Sequence, residues 1–588
     1  MTLINPDLFI LLFLCSPVLF GFIFLVFFKS LYKWSFFLSF FLASLLLLIS
    51  IYCWATCWSY DSFGLLSDSI SRNMILWTSL FVWLLVIYAK SFFSNKQESH
   101  KFYALSLISL GLTYWTLLSD YMIYLLISWS LLGVLLYLMV GLSGKQAKET
   151  AKKTFIMVGG SDIFMILGMV ILFQLTKQTY LSQAKIVLDT PLAVLSFTLM
   201  FIGAFAKAGV FPLHSWLPDA CQHSFVPVTA FLPLSLDKIL AVYLMIRLIG
   251  GVATLPLIAV LILMSLGCIC IFVGVLMALV QHDLKRLLGY HTVSQVGYIV
   301  LGLGTGTPMG LVGAMYHMLN NIVYKTALFL SAGLIEKKCK TTYLDKLGGL
   351  YRLLPVTFVV MLISSLAISG IYPFSGYFSK HVILHGIIYT HKLYHFNGWQ
   401  IFWLLGSIGG LLTLTSFVKV MYALFIEPAC SLWDNVNEKK TLMLIPMILL
   451  AILCLFLGFT SETYTFHNFL QPITQKDVHI YFSKSEGLIY LLIYLTFAFI
   501  LIQSLRKHAK TCNTVGIHLF DKLRNCKGIK CAYDWSESRY LDLYDIGRKG
   551  IAGTSSILRS FHTGILPTYV FWFLIGALVF AMYYFKVF

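Results

Sequence analysis

Run after run of about twenty residues in this chain carries almost nothing but Leu, Ile, Phe, Val and Ala, and that recurrence dictates the solvent in which it folds. A hydrocarbon core about 30 Å thick is crossed by roughly 20 apolar residues in helical conformation. Sixteen such runs are read near 8–28, 35–57, 74–92, 102–119, 121–142, 154–175, 192–213, 225–248, 252–281, 287–305, 309–335, 354–390, 400–426, 441–461, 486–504 and 564–586. Continuous apolar sequence without two-residue alternation excludes a porin-type barrel. With 59% apolar and 11% charged residues in 588, the chain has no polar surface for a string of water-soluble domains. The fold class is an all-α polytopic membrane protein of about 16 transmembrane helices.

The net charge of +18 does not point to nucleic acid, because the basic residues sit in short clusters between apolar runs and not along one polar face. Of the 42 Lys and Arg, 28 fall in loops reached after odd-numbered spans, 6 on the other side and 8 inside spans. The positive-inside rule then sets the odd loops toward the cytoplasm or matrix and both termini outward. The first run, Leu8 to Phe28, has no basic segment before it and no A-x-A-like cleavage site after it, and reads as a retained span. The largest basic group, Arg506 to Arg559, lies in a mixed apolar and charged stretch that predicts an amphipathic segment on the lipid surface. Gly516, Gly528, Gly547, Gly550 and Gly553 predict breaks in any helix there. Cys53, Cys57, Cys221, Cys268 and Cys270 lack metal-ligand spacing and read as packing thiols; Cys526 and Cys531 form the one pair reminiscent of a zinc site, half of what such a site needs.

A charge at bilayer depth costs about 2.5–3.5 kcal/mol on insertion scales, so ionisable residues there mark function by default. Asp162, Lys207, Asp237, Lys238, His317, Lys325, Lys380 and Lys419 lie well inside apolar runs. A desolvated Lys releases its proton readily, which suits such residues to a relay; the competing role is a snorkelling or satisfied structural lysine, most readily for Lys419. Helix breaks accompany two of them. Pro212 and Pro218 follow Lys207, and Gly370, Pro373 and Gly376 precede Lys380. Carbonyls freed by a break at membrane depth need protein or cavity water, so both sites should be wet. Broken helices at matched places are a mark of inverted-repeat transporters, and spans four to eight and nine to thirteen form the matching halves, with Lys207 and Lys380 in equivalent positions. His214, His223, His282 and His291 lie near span ends and read as solvated or capping groups. Gly302, Gly304 and Gly306 lack G-x-G-x-x-G spacing and a preceding strand, so no cofactor loop is read there, and no metal site.

Two segments carry a family resemblance. Gln281-His282-Asp283-Leu284-Lys285-Arg286-Leu287-Leu288-Gly289-Tyr290, continuing to Ser294-Gln295-Val296-Gly297-Tyr298, resembles the signature of the antiporter-like subunits of respiratory complex I. Lys207-Ala208-Gly209-Val210-Phe211-Pro212-Leu213-His214-Ser215-Trp216-Leu217-Pro218-Asp219-Ala220 is similar to that family's seventh-span motif. Weaker echoes are Asp68-Ser69-Ile70-Ser71 and Tyr377-Phe378-Ser379-Lys380. The likeness covers about 60–430 well and the ends loosely. Sixteen spans with a basic surface segment before the last resemble the distal subunit, called subunit 5 in mitochondria. Mrp-type antiporters, membrane-bound hydrogenases and the membrane partner of some inorganic-carbon transporters share the same core.

The resemblance implies roles. Lys207 corresponds to the seventh-span Lys, Lys238 to the eighth-span base, His317 and Lys325 to the eleventh-span relay, and Lys380 to the terminal Lys near the outlet. Two positions depart: Ser130, in Ile127-Ser128-Trp129-Ser130, stands where the family has a Glu paired with Lys207, and Asn321 stands where a second His is common. Asp237 or Asp162 is expected to supply the missing carboxylate, the alternative for Asp237 being a local salt bridge to Lys238.

With the resemblance, these residues imply a cofactor-free membrane subunit translocating protons or sodium within a complex I-like assembly in a bacterial inner or mitochondrial inner membrane. It would be a non-redox part of a NADH:quinone oxidoreductase-like translocase, with other membrane subunits as partners. A Mrp-type cation/proton antiporter, a membrane-bound hydrogenase subunit and an inorganic-carbon uptake subunit are alternatives, as is a non-conducting membrane anchor. The organisation expected is N-terminal spans over 1–101, antiporter-like halves over 102–248 and 252–426, C-terminal spans over 427–504, the surface segment over 505–563 and a final span over 564–588.

Overall fold

A computed structural model of the chain describes residues 5–27, 33–93, 96–427, 436–438, 441–461, 484–508, 530, 533–534, 542–562 and 564–585. It divides into two units, residues 1–530 and 531–588. The first begins with α1 (Pro6–Val26), α2 (Ser35–Ala55), α3 (Ser69–Phe92), α4 (Lys96–Leu118), α5 (Met122–Gly141), α6 (Lys145–Thr176), α7 (Pro191–Ala208) and the short α8 (Trp216–His223). It continues through α9 (Val226–Val252), α10 (Leu257–Leu279), α11 (Leu284–Gly304), α12 (Pro308–Cys339), α13 (Pro355–Ser369), α14 (Ser375–Tyr394), α15 (Trp399–Ile426), α16 (Leu444–Phe459) and α17 (Lys484–His508). Among the described residues, strand is confined to two small ladders: β1 (Tyr60–Ser62) antiparallel to β2 (Leu65–Ser67), and β3 (Ile186–Val187) parallel to β4 (Ala253–Thr254).

Among the described residues, 12 helices are long and apolar enough to cross a membrane, and α13 and α16 are shorter apolar helices. Burial sorts them. The apolar windows of α9 and α12 are wholly buried, whereas α1 and α2 turn most of theirs outward. Lys285, Arg286, His291 and Gln295 dilute the hydropathy of α11, yet all of that helix except Arg286 is buried. A helix polar on paper and central in the bundle must satisfy its polar groups against its neighbours or trapped water.

Small residues bring α10 and α11 into close contact. A Cβ on Gly297 would stand 2.7 Å from the Gly267 carbonyl oxygen, and one on Gly304 would stand 2.8 Å from Leu263 Cβ. Gly297 and Gly304 are therefore helix-packing glycines, the usual device by which membrane helices approach closely.

Two of the described helices are cut short in the same way. α7 ends at Gly209 (φ 75°) and α13 at Gly370 (φ 81°), both in the left-handed region that favours glycine, and a proline follows each glycine at the same spacing, at Pro212 and Pro373. α9 carries π turns at Leu232–Leu236 and Leu248–Val252, and α15 one at Tyr422–Ile426.

The second unit contains α18 (Leu543–Phe561) and α19 (Leu566–Tyr584). On α18, Leu543, Ile546, Ile557 and Leu558 share a face opposite Asp545, Arg548, Lys549 and Arg559, as an amphipathic segment requires. The helix runs unbroken through Gly547, Gly550 and Gly553, against the breaks expected there. A helical Gly costs about 1 kcal/mol relative to Ala, too little to interrupt nineteen otherwise compatible residues. Gly516, Gly528, Cys526 and Cys531 lie outside the described residues.

Candidate functional site: a buried lysine and histidine array

Lys207, on the last turn of α7, is fully buried. Its Nζ donates to the Trp129 carbonyl at 3.1 Å and sits 4.2 Å above the indole ring, while Trp129 Nε1–H donates to Asp162 Oδ1 at 2.8 Å. Trp129 on α5 thus stands between cation and carboxylate, offering its negative ring face to one and its N–H to the other. Ser130, at the position of the family's paired Glu, is half-buried beside it.

The π turn before Asp237 adds a residue to α9 and rotates the rest of the helix by roughly 100°. Lys238, also fully buried, donates to the carbonyl of Ala208 at the α7 break. A Cβ on Gly209 would stand 3.4 Å from that Nζ. Asp237 makes no salt bridge to Lys238, and neither of its buried carboxyl oxygens has a hydrogen-bond partner among the described residues. Lys207 is within electrostatic reach of Asp237 and Asp162.

Lys325 on α12 donates to the Leu288 carbonyl at 3.0 Å and Thr292 Oγ1 at 2.8 Å, both on α11. Lys238 lies within its electrostatic reach. His317, two turns earlier on α12, places Nδ1 2.9 Å from Ser379 Oγ on α14 and its ring 5.4 Å from that of Tyr298. Lys380 donates to the carbonyls of Ile368 and Ser369 at 2.9 and 3.4 Å, the last carbonyls of α13, and lies 4.6 Å above the Tyr298 ring. Lys380 lies after its break glycine and Lys207 before its own, so the two differ in their place relative to the break. By hydrogen bonding the counterpart of Lys380 is Lys238: each lysine serves carbonyls that a break has freed.

His291 differs from its expected place. It is fully buried inside α11, Nε2 2.7 Å from Ser416 Oγ and its ring 4.7 Å from Phe417, within electrostatic reach of Lys325 and Lys380. His214, His223 and His282 are half-buried near helix ends. The charges of Lys285 and Arg286 suggest a membrane boundary close to His291, but Asp283 caps α11, α8 packs on Gly289, Lys325 of α12 bonds to Leu288, and Ser416 and Phe417 of α15 lie against His291. Lys419 donates to the Leu279 and Gln281 carbonyls at 2.7 and 3.1 Å, closing the end of α10 as a structural lysine.

Around the array, many buried polar atoms have no hydrogen-bond partner among the described residues: His291 Nδ1, Ser294 Oγ, Gln295 Nε2, His317 Nε2, Asn320 Oδ1 and Asn321 Oδ1. Ser364, Ser365 and Ser375 add hydroxyls on α13 and α14. In a bilayer interior such atoms demand bound water, since leaving each unmade costs about 1–3 kcal/mol. A cavity of about 190 Å³ opens beside Lys380, lined also by Tyr298, Gly370, Tyr377 and His381.

Asp68, the residue before α3, caps that helix and takes a two-pronged contact from Arg247 near the end of α9, at 2.6 and 2.9 Å. Burial pushes the Asp68 carboxyl up, but the Arg247 charge and hydrogen bonds outweigh it and hold the group below the usual carboxylate range.

Fold and site together define a polytopic helical membrane protein with buried bases at its helix breaks. Residues 119–413, half of the chain, match the family described as NADH:quinone oxidoreductase/Mrp antiporter, transmembrane, and the chain belongs to that family. It is 30% identical to NAD(P)H-quinone oxidoreductase subunit 5 of the Chaetosphaeridium globosum chloroplast, over 68% of this chain and 62% of that one. It is also 30% identical to Na(+)/H(+) antiporter subunit A1 of Staphylococcus epidermidis, over 68% of this chain and 52% of the relative. The chain thus spans less than two thirds of either relative. A chain in the Mrp complex from Dietzia sp. shares the fold at a TM-score of 0.80 and 20% identity, over 98% of this chain and 63% of that one.

Proposed function

We propose that the chain conducts protons, or sodium ions, as a membrane subunit of a complex I-like energy-converting assembly whose redox or exchange chemistry resides in partner subunits. The route runs from Lys207 through Lys238, Lys325 and His317 to Lys380, with Asp162 and Asp237 as the carboxylates that tune its first member. A charge change at one base alters the proton affinity of the next, and water carries the proton between them. Sixteen spans, two inverted five-helix halves over 102–248 and 252–426, outward termini and a bacterial or organellar inner membrane complete the reading. The paired breaks, each ending in a left-handed glycine with a proline after it, support the two halves.

One observation carries the reading: Lys207, Lys238, Lys325 and Lys380 are all buried, and the polar atoms around them lack hydrogen-bond partners among the described residues. A membrane anchor has no use for that arrangement, because each cation and each unmade hydrogen bond costs insertion energy. The test is proton flux in vesicles carrying the native assembly, energised by the donor or cation gradient that supports flux in the unmodified chain. Lys325→Met lowers flux on the order of a hundredfold, the scale of a lost acid–base group. Full flux with Lys325→Met in an intact assembly excludes this route.

A further inference from the structure

Beyond Lys380 the molecule holds a second cluster of titratable groups. His381 lines the 190 Å³ cavity with Lys380 and also a larger one of about 660 Å³. The larger cavity is walled by Trp399, Trp403 and Tyr490 and by two further titratable residues, His385 and Glu486. The His381 and His385 rings lie 4.3 Å apart, one helical turn along α14, and His381 Nε2 stands 3.5 Å from Glu486 Oε2 on the first turn of α17. Exposure rises along the series: the His381 side chain is 8% exposed and that of Glu486 56%.

From this geometry we infer that His381, His385 and Glu486 form the proton outlet of the chain, with His381 as the gate between the Lys380 cavity and the surface where α14 ends and α17 begins. The inference rests on the conduction reading above and extends it by naming the path out. Imidazole suits the gate because it accepts a proton on one ring nitrogen and releases it from the other. The Lys380 ammonium gives its proton to cavity water, which passes it to a ring nitrogen of His381. The opposite nitrogen releases a proton to the Glu486 carboxylate or to water beside His385, leaving Lys380 neutral and ready for reloading. Tyr377, whose ring lies 5.6 Å from that of His381, and Tyr490 flank the path with aromatic rings.

The experiment uses vesicles carrying the native assembly with Lys380→Met, His381→Gly, His381→Phe and Glu486→Gln variants, scored for assembly and for proton flux. His381→Gly and His381→Phe lower flux about tenfold or more, Glu486→Gln lowers it severalfold, and millimolar imidazole restores His381→Gly but not His381→Phe. Such rescue is beyond a merely structural histidine. If Lys380→Met abolishes flux while both His381 variants retain it, or if His381→Gly assembles but imidazole restores nothing, the outlet lies elsewhere and the conduction reading stands. If Lys380→Met itself retains full flux, the conduction reading fails and the outlet with it.

Discussion

Lys238 donates to the carbonyl of Ala208, the residue before the break glycine of α7, across thirty residues of chain. Lys380 does the same at the other break, donating to Ser369 immediately before Gly370. A helix C-terminus carries about half a negative charge, so each break holds an ammonium at the negative end of a half-helix. The bond supplies what a counter-ion would without fixing the proton. Lys238→Met and Lys380→Met are expected to cut ion flux in vesicles by about a hundredfold while leaving assembly intact. Arg at position 380, which does not deprotonate, should be as inactive as Met.

Asp162 and Asp237 are distinguished by their contacts. Asp162 is tied to Lys207 through Trp129, whereas Asp237 has no hydrogen-bond partner among the described residues. Trp129→Phe keeps an aromatic ring and removes the N–H, and should reproduce most of the flux loss of Asp162→Asn. Unchanged flux in Asp162→Asn and Asp237→Asn alike removes both as tuning groups.

The close approach of α10 and α11 makes Gly297 intolerant of size. Its Cβ would meet backbone 2.7 Å away, which cannot swing aside as a side chain does. Gly297→Val is expected to destabilise the assembly by about 1–3 kcal/mol, the usual cost of overpacking, read as a lower unfolding temperature in detergent.

The Asp68–Arg247 pair gives a pH dependence with a definite sign. A carboxyl held below its ordinary range stabilises the folded chain above that range, and the contribution disappears as pH falls through the folded value. Thermal stability in detergent should therefore drop on acidification below about pH 4. Arg247→Gln should lower stability at neutral pH and flatten that acid-side slope.

Much of this is legible in the sequence, because charge inside apolar runs is rare. Lys207, Lys238, Lys325 and Lys380 stand out on that ground, as do Gly209 with Pro212 and Gly370 with Pro373. Their partners do not, since a carbonyl has no residue identity: nothing marks Ala208 as the acceptor for Lys238 or Leu288 as that for Lys325. His291 reads as a span-end group because Lys285 and Arg286 draw the apparent membrane boundary inward, and only packing shows that Ser416 and Phe417 of α15 lie against it. The place of Glu486 is equally invisible, for it depends on α17 meeting α14 a hundred residues earlier.

The central claim is that the buried bases are joined by water. A high-resolution density map of the native assembly in lipid tests it directly. Ordered waters are predicted in an unbroken hydrogen-bonded chain, at spacings of about 2.6–3.2 Å, linking Lys207, Lys238, Lys325, His317 and Lys380 past Asp237, Asn320, Asn321 and Gln295. Dry side-chain packing between any two of those bases would contradict it.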